Sequence, residues 1–178
     1  MEKNRINSNE VDIIPLTVGI DYSSFCCSEN KLNEFLIEDA LEDHNNLYSI
    51  TRLVKYNNEI VGFFSLITDN ISIDQVDKSA STGYAYNKLP AVKIARLATS
   101  KQYEKRDVGK IMITEIFRIV YQVTQNVGCR VITVDAKTGA LGFYRKFAFK
   151  EVMSKKSEET IPMYLDFKTL LGRNIQHS

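Results

Sequence analysis

The stretch from Lys93 to Val134 constrains the fold more than any other part of the chain. Lys93–Ala98 is apolar and strand-like, and Ser100–Asp107 is charged. Val108, Met112, Ile116, Ile119, Val123 and Val127 then recur at helical spacing, so they share one helix face. Gly128 is placed to stop that helix as a C′ glycine would, and Arg130–Val134 is a second strand. Two strands joined through a helix of this length pair in parallel, and the crossover is right-handed.

The flanking segments require antiparallel pairing as well. Leu47–Lys55 and Ile60–Ile67 are strand-like and meet at Asn57-Asn58, residues that tolerate the positive φ of a tight hairpin. The second of these runs is apolar on both faces, which predicts a place inside the sheet. Ser28–Asp43 reads as a helix with Leu32, Phe35, Leu36 and Ala40 on one face; its other face carries six carboxylates against Lys31. Residues 69–91 read as a loop. Ala140, Phe143, Tyr144 and Phe147 lie on one side of a short helix that Thr138 is placed to cap. Phe149–Met153 and Ile161–Phe167 form an antiparallel pair across the polar loop Ser154–Thr160. The expected product is an α/β (α+β) fold, a mixed central sheet of about six to seven strands flanked by helices. With 178 residues the chain suits one domain, drawn at 13–168, with frayed termini at 1–12 and 173–178.

A net charge of +1 argues against a uniformly basic polyanion binder but leaves room for a local basic face. No apolar run approaches the ~18 residues of a membrane span. The opening residues MEKNRINSNEVD lack the apolar core of an export signal, so a cytoplasmic protein without membrane contact is expected. Cys26, Cys27 and Cys129 then read as reduced thiols. With only His44 and His177 beside them, neither a metal site nor a Ser-His-Asp triad can be assembled.

Two places can carry chemistry. Gln102 to Lys110 enters a helix N-terminus, where unpaired N–H groups favour an anion, and Lys101, Lys105, Arg106 and Lys110 stand nearby. The plain alternative is Asp107 as an ordinary N-cap among surface lysines. Neither nucleotide-binding glycine motif, G-x-x-x-x-G-K-[ST] or G-x-G-x-x-G, is present. The second place is Phe143-Tyr144-Arg145-Lys146-Phe147, an aromatic stripe whose Tyr144 needs a polar partner if buried. Asp135, just after a strand, is open to two readings, a general base or a helix cap.

These segments together carry a resemblance. Ile94-Ala95-Arg96-Leu97-Ala98, Tyr103 to Gly109, the amphipathic helix, Val134-Asp135-Ala136 and Phe143-Tyr144-Arg145-Lys146-Phe147-Ala148-Phe149 resemble the GNAT superfamily of acetyl-CoA-dependent N-acetyltransferases. Phe25-Cys26, Leu32-Asn33-Glu34-Phe35-Leu36, the Ala-Arg-Leu-Ala strand and Met163 resemble the toxin members, which acetylate aminoacyl-tRNA and are encoded beside ribbon-helix-helix antitoxins. The superfamily's pyrophosphate loop, [QR]-x-x-G-x-[GA], aligns with Glu104-Lys105-Arg106-Asp107-Val108-Gly109, so only the last glycine is kept. Asp107 stands where a glycine is usual, and its carboxylate competes with phosphate for the same donors.

The resemblance implies a GNAT domain in which parallel strands 4 and 5 splay around the pantetheine arm. It implies acetyl-CoA as acyl donor, no metal, and an amine acceptor: aminoacyl-tRNA, a small amine or a protein amine. Leu97, Ala98 and Thr99 would meet pantetheine; Glu104, Lys105, Arg106, Asp107, Val108, Gly109 and Lys110 would wrap the pyrophosphate; Tyr144 would protonate the leaving thiolate. Partners implied are tRNA, an antitoxin and a second copy of the chain as a homodimer. The reading set against it is a non-catalytic CoA-binding or interaction module with a degenerate pyrophosphate loop.

Overall fold

A computed structural model describes residues 4–152 and 159–175. The strands are β1 (Asp12–Pro15), β2 (Ile50–Tyr56), β3 (Glu59–Ser72), β4 (Lys88–Thr99), β5 (Val131–Lys137), β6 (Lys150–Glu151) and β7 (Thr160–Asp166). The helices are α1 (Asn30–Glu34), which runs through a π-turn at Phe35–Asp39 into α2 (Ala40–Asn45), then α3 (Lys78–Ser81), α4 (Val108–Thr124), α5 (Leu141–Arg145) and α6 (Phe167–Ile175). The strands form one seven-stranded sheet in the order β1-β2-β3-β4-β5-β7-β6. It is mixed as expected: β4 and β5 are parallel, while β1–β2, β2–β3, β5–β7 and β6–β7 are antiparallel. Among the described residues no helix is long and apolar enough to cross a membrane.

The chain divides into two compact units, Met1–Ile67 with Ala95–Ile119, and Thr68–Ile94 with Val120–Ser178. In the first unit, Phe35, Leu36 and Ala40 turn the helical segment onto β3, where Phe63 packs edge-on against Phe25 and stacks with Phe35. The Asn57-Asn58 turn takes φ of 49° and 66°, the left-handed pair that a two-residue hairpin demands. Gly62 lies where β3 passes the end of β4 and the start of α4. A Cβ there would lie 3.0 Å from Val108 Cγ1, 3.1 Å from the Ala98 carbonyl and 3.2 Å from Met112 Sδ. Val108, Met112, Ile113 and Ile116 supply the buried stripe of α4 in this unit.

In the second unit, the β4–β5 register runs from Ala91 opposite Val131 to Ile94 opposite Val134. β7 then covers the other side of β5 along its whole length, from Val131 opposite Asp166 to Lys137 opposite Thr160. Buried Leu89, Ala91, Val131 and Tyr164 form its core with Ile71, Val76 and Ala80.

Several boundaries differ from expectation. β1 was not anticipated, because Ile13-Ile14 is too short a run to show alternation. Residues 69–91 are a shorter connection than expected: β3 continues to Ser72 and β4 begins at Lys88, since Ile71, Leu89 and Ala91 are buried. α4 ends at Thr124, Val127 is 64% exposed, and Gly128 does not take the left-handed C′ conformation. Thr138 opens a 3-10 turn and makes no side-chain cap. Part of the N-terminal stretch expected to fray is folded: Ile6 is buried and Ser8–Glu10 form a 3-10 turn. At the other end α6 runs to Ile175. Residues 1–3 and 176–178 lie outside the described residues, as do Met153 and residues 154–158 of the expected polar loop.

Replacing Gly62 with valine is expected to destabilise the protein by about 1–3 kcal/mol, because a backbone carbonyl is among the atoms in the way. Chemical denaturation of the variant beside the parent measures it, and an unchanged midpoint would show that β3 and α4 can move apart freely.

Candidate active site

The passage from β4 into α4 lies within the first unit. β4 delivers Leu97, buried Ala98 and Thr99 to its end; buried Ser100 donates its N–H to the Val61 carbonyl (2.9 Å) and Lys101 donates to the Cys26 carbonyl (2.8 Å). A 3-10 turn at Lys101–Tyr103 follows. Lys105 and Asp107 then take φ of 63° and 68°. Both sit in the left-handed region, which aspartate tolerates better than most residues. The first bond of α4 runs from the Ile111 N–H to the Asp107 carbonyl (3.0 Å), so Val108, Gly109 and Lys110 present first-turn N–H groups ahead of it. Leu97 to Lys110 are thus gathered in one short structural passage.

The side chains around this turn are more committed than their sequence suggests. Arg106 lies over Tyr103 (5.0 Å) and Tyr56 (5.6 Å), two rings packed edge-on, and its Nε donates to the Asn4 carbonyl (2.8 Å). The Arg106 carbonyl accepts the Ile6 N–H (3.0 Å). Tyr103 donates to Glu59 Oε2 (2.7 Å), and that bond, with burial, raises its pKa. Glu104 accepts from Ser28 Oγ (2.7 Å), which holds its carboxylate to the side. Asp107 does not cap α4 through its side chain among the described bonds. Its Oδ2 instead lies 3.7 Å from Arg5 Nε. Lys105 and Lys110 remain exposed. Ser28, Tyr56, Glu59 and the Asn4–Ile6 strap were not legible as site residues, because each comes from a distant part of the chain.

Tyr144 lies in the second unit, on α5. It is buried between Phe143 (centroids 5.2 Å apart) and Phe149 (5.5 Å), both packed edge-on. Among the described residues its hydroxyl has no hydrogen-bond partner, and burial pushes its pKa well above the ordinary phenol value. Such a phenol stays protonated and has its O–H free to donate. Asp135 serves neither of its two expected roles in a simple way: its Oδ2 pairs with Lys93 Nζ at 2.6 Å. Burial raises the Cys27 and Cys129 thiols, the direction that disfavours thiolate nucleophiles. His44 Nδ1 accepts the Thr51 N–H (3.1 Å), a structural bond.

A β-strand that opens into a helix N-terminus with free N–H groups, and a phenol kept as an acid, are the equipment of a group-transfer enzyme. A family model described as "Acetyltransferase (GNAT) family" matches residues 19–149, and the chain belongs to that family: it is an acyltransferase. A tRNA-acetylating toxin of Mycobacterium tuberculosis (strain ATCC 25618 / H37Rv) is 23% identical over 153 residues, covering 85% of this chain and 91% of the relative. The solved structure of AtaT complexed with acetyl-methionyl-tRNAfMet aligns with a TM-score of 0.82 and 20% identity, covering 92% of this chain and 98% of that one. A tyrosine-to-phenylalanine variant of AtaT, bound to the C-terminus of the antitoxin AtaR and acetyl-CoA, aligns with a TM-score of 0.73 and 21% identity, covering 92% and 98%. The likeness in structure establishes the shared fold.

Because the Tyr144 hydroxyl makes no hydrogen bond among the described residues, Tyr144→Phe is expected to leave the melting temperature unchanged or slightly higher. Thermal melts of both proteins test this; a loss of several degrees would reveal a partner for the hydroxyl.

Proposed function

We propose that the protein transfers the acetyl group of acetyl-CoA to the α-amino group of aminoacyl-tRNA, by direct attack and without a covalent enzyme intermediate. The observation that carries the chemistry is the buried, protonated Tyr144, whose hydroxyl has no partner among the described residues. The acceptor is favoured by the names of the toxin relatives and by the distribution of charge. In residues 96–110, Arg96, Lys101, Lys105 and Lys110 are exposed, while Arg106 is tied to Tyr56, Tyr103 and Asn4, and only Glu104 and Asp107 oppose them. Phosphate binding draws on such local cations even where net charge is small.

The residues present fit the donor. Asp107 keeps the left-handed φ that a glycine would supply, so the turn retains the shape needed to aim N–H groups at an anion. That retained shape supports donor binding, and the buried, protonated Tyr144 favours the enzyme over a non-catalytic module. Bound acetyl-CoA supplies an activated thioester. The N–H groups of Val108, Gly109 and Lys110 receive the pyrophosphate, and Lys105 and Lys110 add positive charge. Glu104 and the Arg106 side chain shape the turn through Ser28 and the two tyrosines. Backbone groups of Leu97, Ala98 and Thr99 orient the pantetheine arm. The α-amine, with a pKa near 7.7–8.0, is partly neutral at physiological pH and attacks the carbonyl carbon. As the C–S bond breaks, Tyr144 gives its proton to sulfur, whose thiol pKa is about 8.5. The attacking nitrogen, cationic after attack, loses one proton to water, and water returns a proton to the Tyr144 phenolate. An antitoxin partner belongs to the same reading, since AtaT is seen with AtaR.

Incubation with labelled acetyl-CoA and charged tRNA is expected to place label on the aminoacyl group; label on polyamines or peptides alone would exclude this acceptor. In the same assay Tyr144→Phe is expected to lower kcat by about 10²–10⁴-fold while acetyl-CoA affinity holds. Turnover within threefold of the parent would assign the proton to another group. Since burial raises the Tyr144 pKa, the acid form persists through neutrality, and its alkaline loss of kcat is expected only above about pH 10. A decline from this group centred near pH 8 would contradict the burial.

Asp107→Gly is expected to tighten acetyl-CoA binding, because it removes a carboxylate from the anion site and accommodates the same φ. Acetyl-CoA-dependent melting shifts of variant and parent read this directly, and a weaker shift in the variant would show that the Arg5–Asp107 contact matters more than the charge.

A further inference from the structure

The second unit holds a feature that acetyl transfer does not use. Tyr84 and Tyr86 are 40% and 70% exposed on the connection between α3 and β4, where apolar surface is ordinarily avoided. Their rings face each other with centroids 5.4 Å apart and planes tilted by 59°. Beside them Thr82, Gly83, Tyr84, Arg130 and Lys168 help line an open groove of about 510 Å³. Arg130, on the groove wall, gives Nη2 to Asp166 (2.9 Å). From Lys78 to Lys93 the sequence carries three lysines and no carboxylate. Exposed Lys78, Lys88 and Lys168 have no ion-pair partner among the described residues.

Exposed aromatic faces beside lysines without an ion-pair partner among the described residues are the chemistry that receives single-stranded nucleic acid: bases stack on rings while phosphates meet lysines. The groove mixes apolar Leu89, Pro90, Phe167 and Leu171 with Ser79, Thr82, Arg130 and Lys168, and the lysines beside the rings, in a stretch without carboxylates, favour a polyanion over a neutral protein surface. We infer that Tyr84 and Tyr86, with the Arg130 groove, form a stacking platform for the unpaired end of an RNA acceptor. This rests on the aminoacyl-tRNA reading above and names the part of the RNA that the second unit holds.

The test uses the full chain, a short single-stranded RNA ending in CCA, and intact charged tRNA. Tyr84→Ala with Tyr86→Ala is expected to weaken binding of the oligonucleotide by about tenfold or more. The KM for charged tRNA should rise by a similar factor while kcat and the acetyl-CoA melting shift stay as in the parent. Tyr84→Phe with Tyr86→Phe, which keeps both rings, should restore binding, and thermal melts confirm that both double variants fold. If the parent acetylates charged tRNA and the alanine variant matches it in affinity and KM, the platform is overturned and the acceptor reading stands. If the variant instead changes only self-association, the patch is a protein interface and the platform is likewise overturned. A parent that neither binds nor acetylates tRNA removes the acceptor reading itself, and the platform with it.

Discussion

The turn between β4 and α4 is the constraint on which the first unit depends. The chain must leave the sheet and enter a helix within a few residues, and it does so through two non-glycine residues in the left-handed region. Such conformations cost about 1–3 kcal/mol each and persist only where the surroundings enforce them. The surroundings are identifiable: Ser100 pinned to Val61, Arg106 stacked on two tyrosines, and Val108 set against the bare backbone of Gly62. The N–H groups offered at the helix start are a by-product of this enforced geometry.

The two units hold different physical environments. The β4–α4 turn is polar, charged and open, suited to an anionic donor. Tyr144 sits among aromatic rings, where low polarity raises its pKa and keeps the phenol protonated. In the second unit Asp77 is held by Lys150 and by proximity to Tyr164, so its carboxyl is pushed below the usual range. That ion pair is exposed and contributes little to stability.

Much of this was legible in the residues. The long period of α4, the Asn57-Asn58 turn and the aromatic stripe around Tyr144 each express a local rule, so they could be read without a structure. The GNAT likeness named the candidate donor-binding turn despite its missing glycine. What could not be read depends on contacts between distant segments. Helical spacing carries Val127 onto the apolar face, but the helix ends at Thr124 and leaves Val127 64% exposed. Arg106 looked like a free cation until Tyr56 and Tyr103, far apart in sequence, closed around it. Tyr84 and Tyr86 carry no motif; only their shared exposure singles them out.

The strap formed by Asn4 to Ile6 has a practical consequence. Three contacts, the Asn4 carbonyl to Arg106 Nε, the Ile6 N–H to the Arg106 carbonyl, and Arg5 to Asp107, fasten it to the turn between β4 and α4. The two backbone contacts need the strap in a fixed position, whatever its side chains. An affinity tag attached just ahead of Asn4 therefore pulls on the turn it is meant to leave alone, and kinetics gathered on such a fusion describe the tag as well as the enzyme.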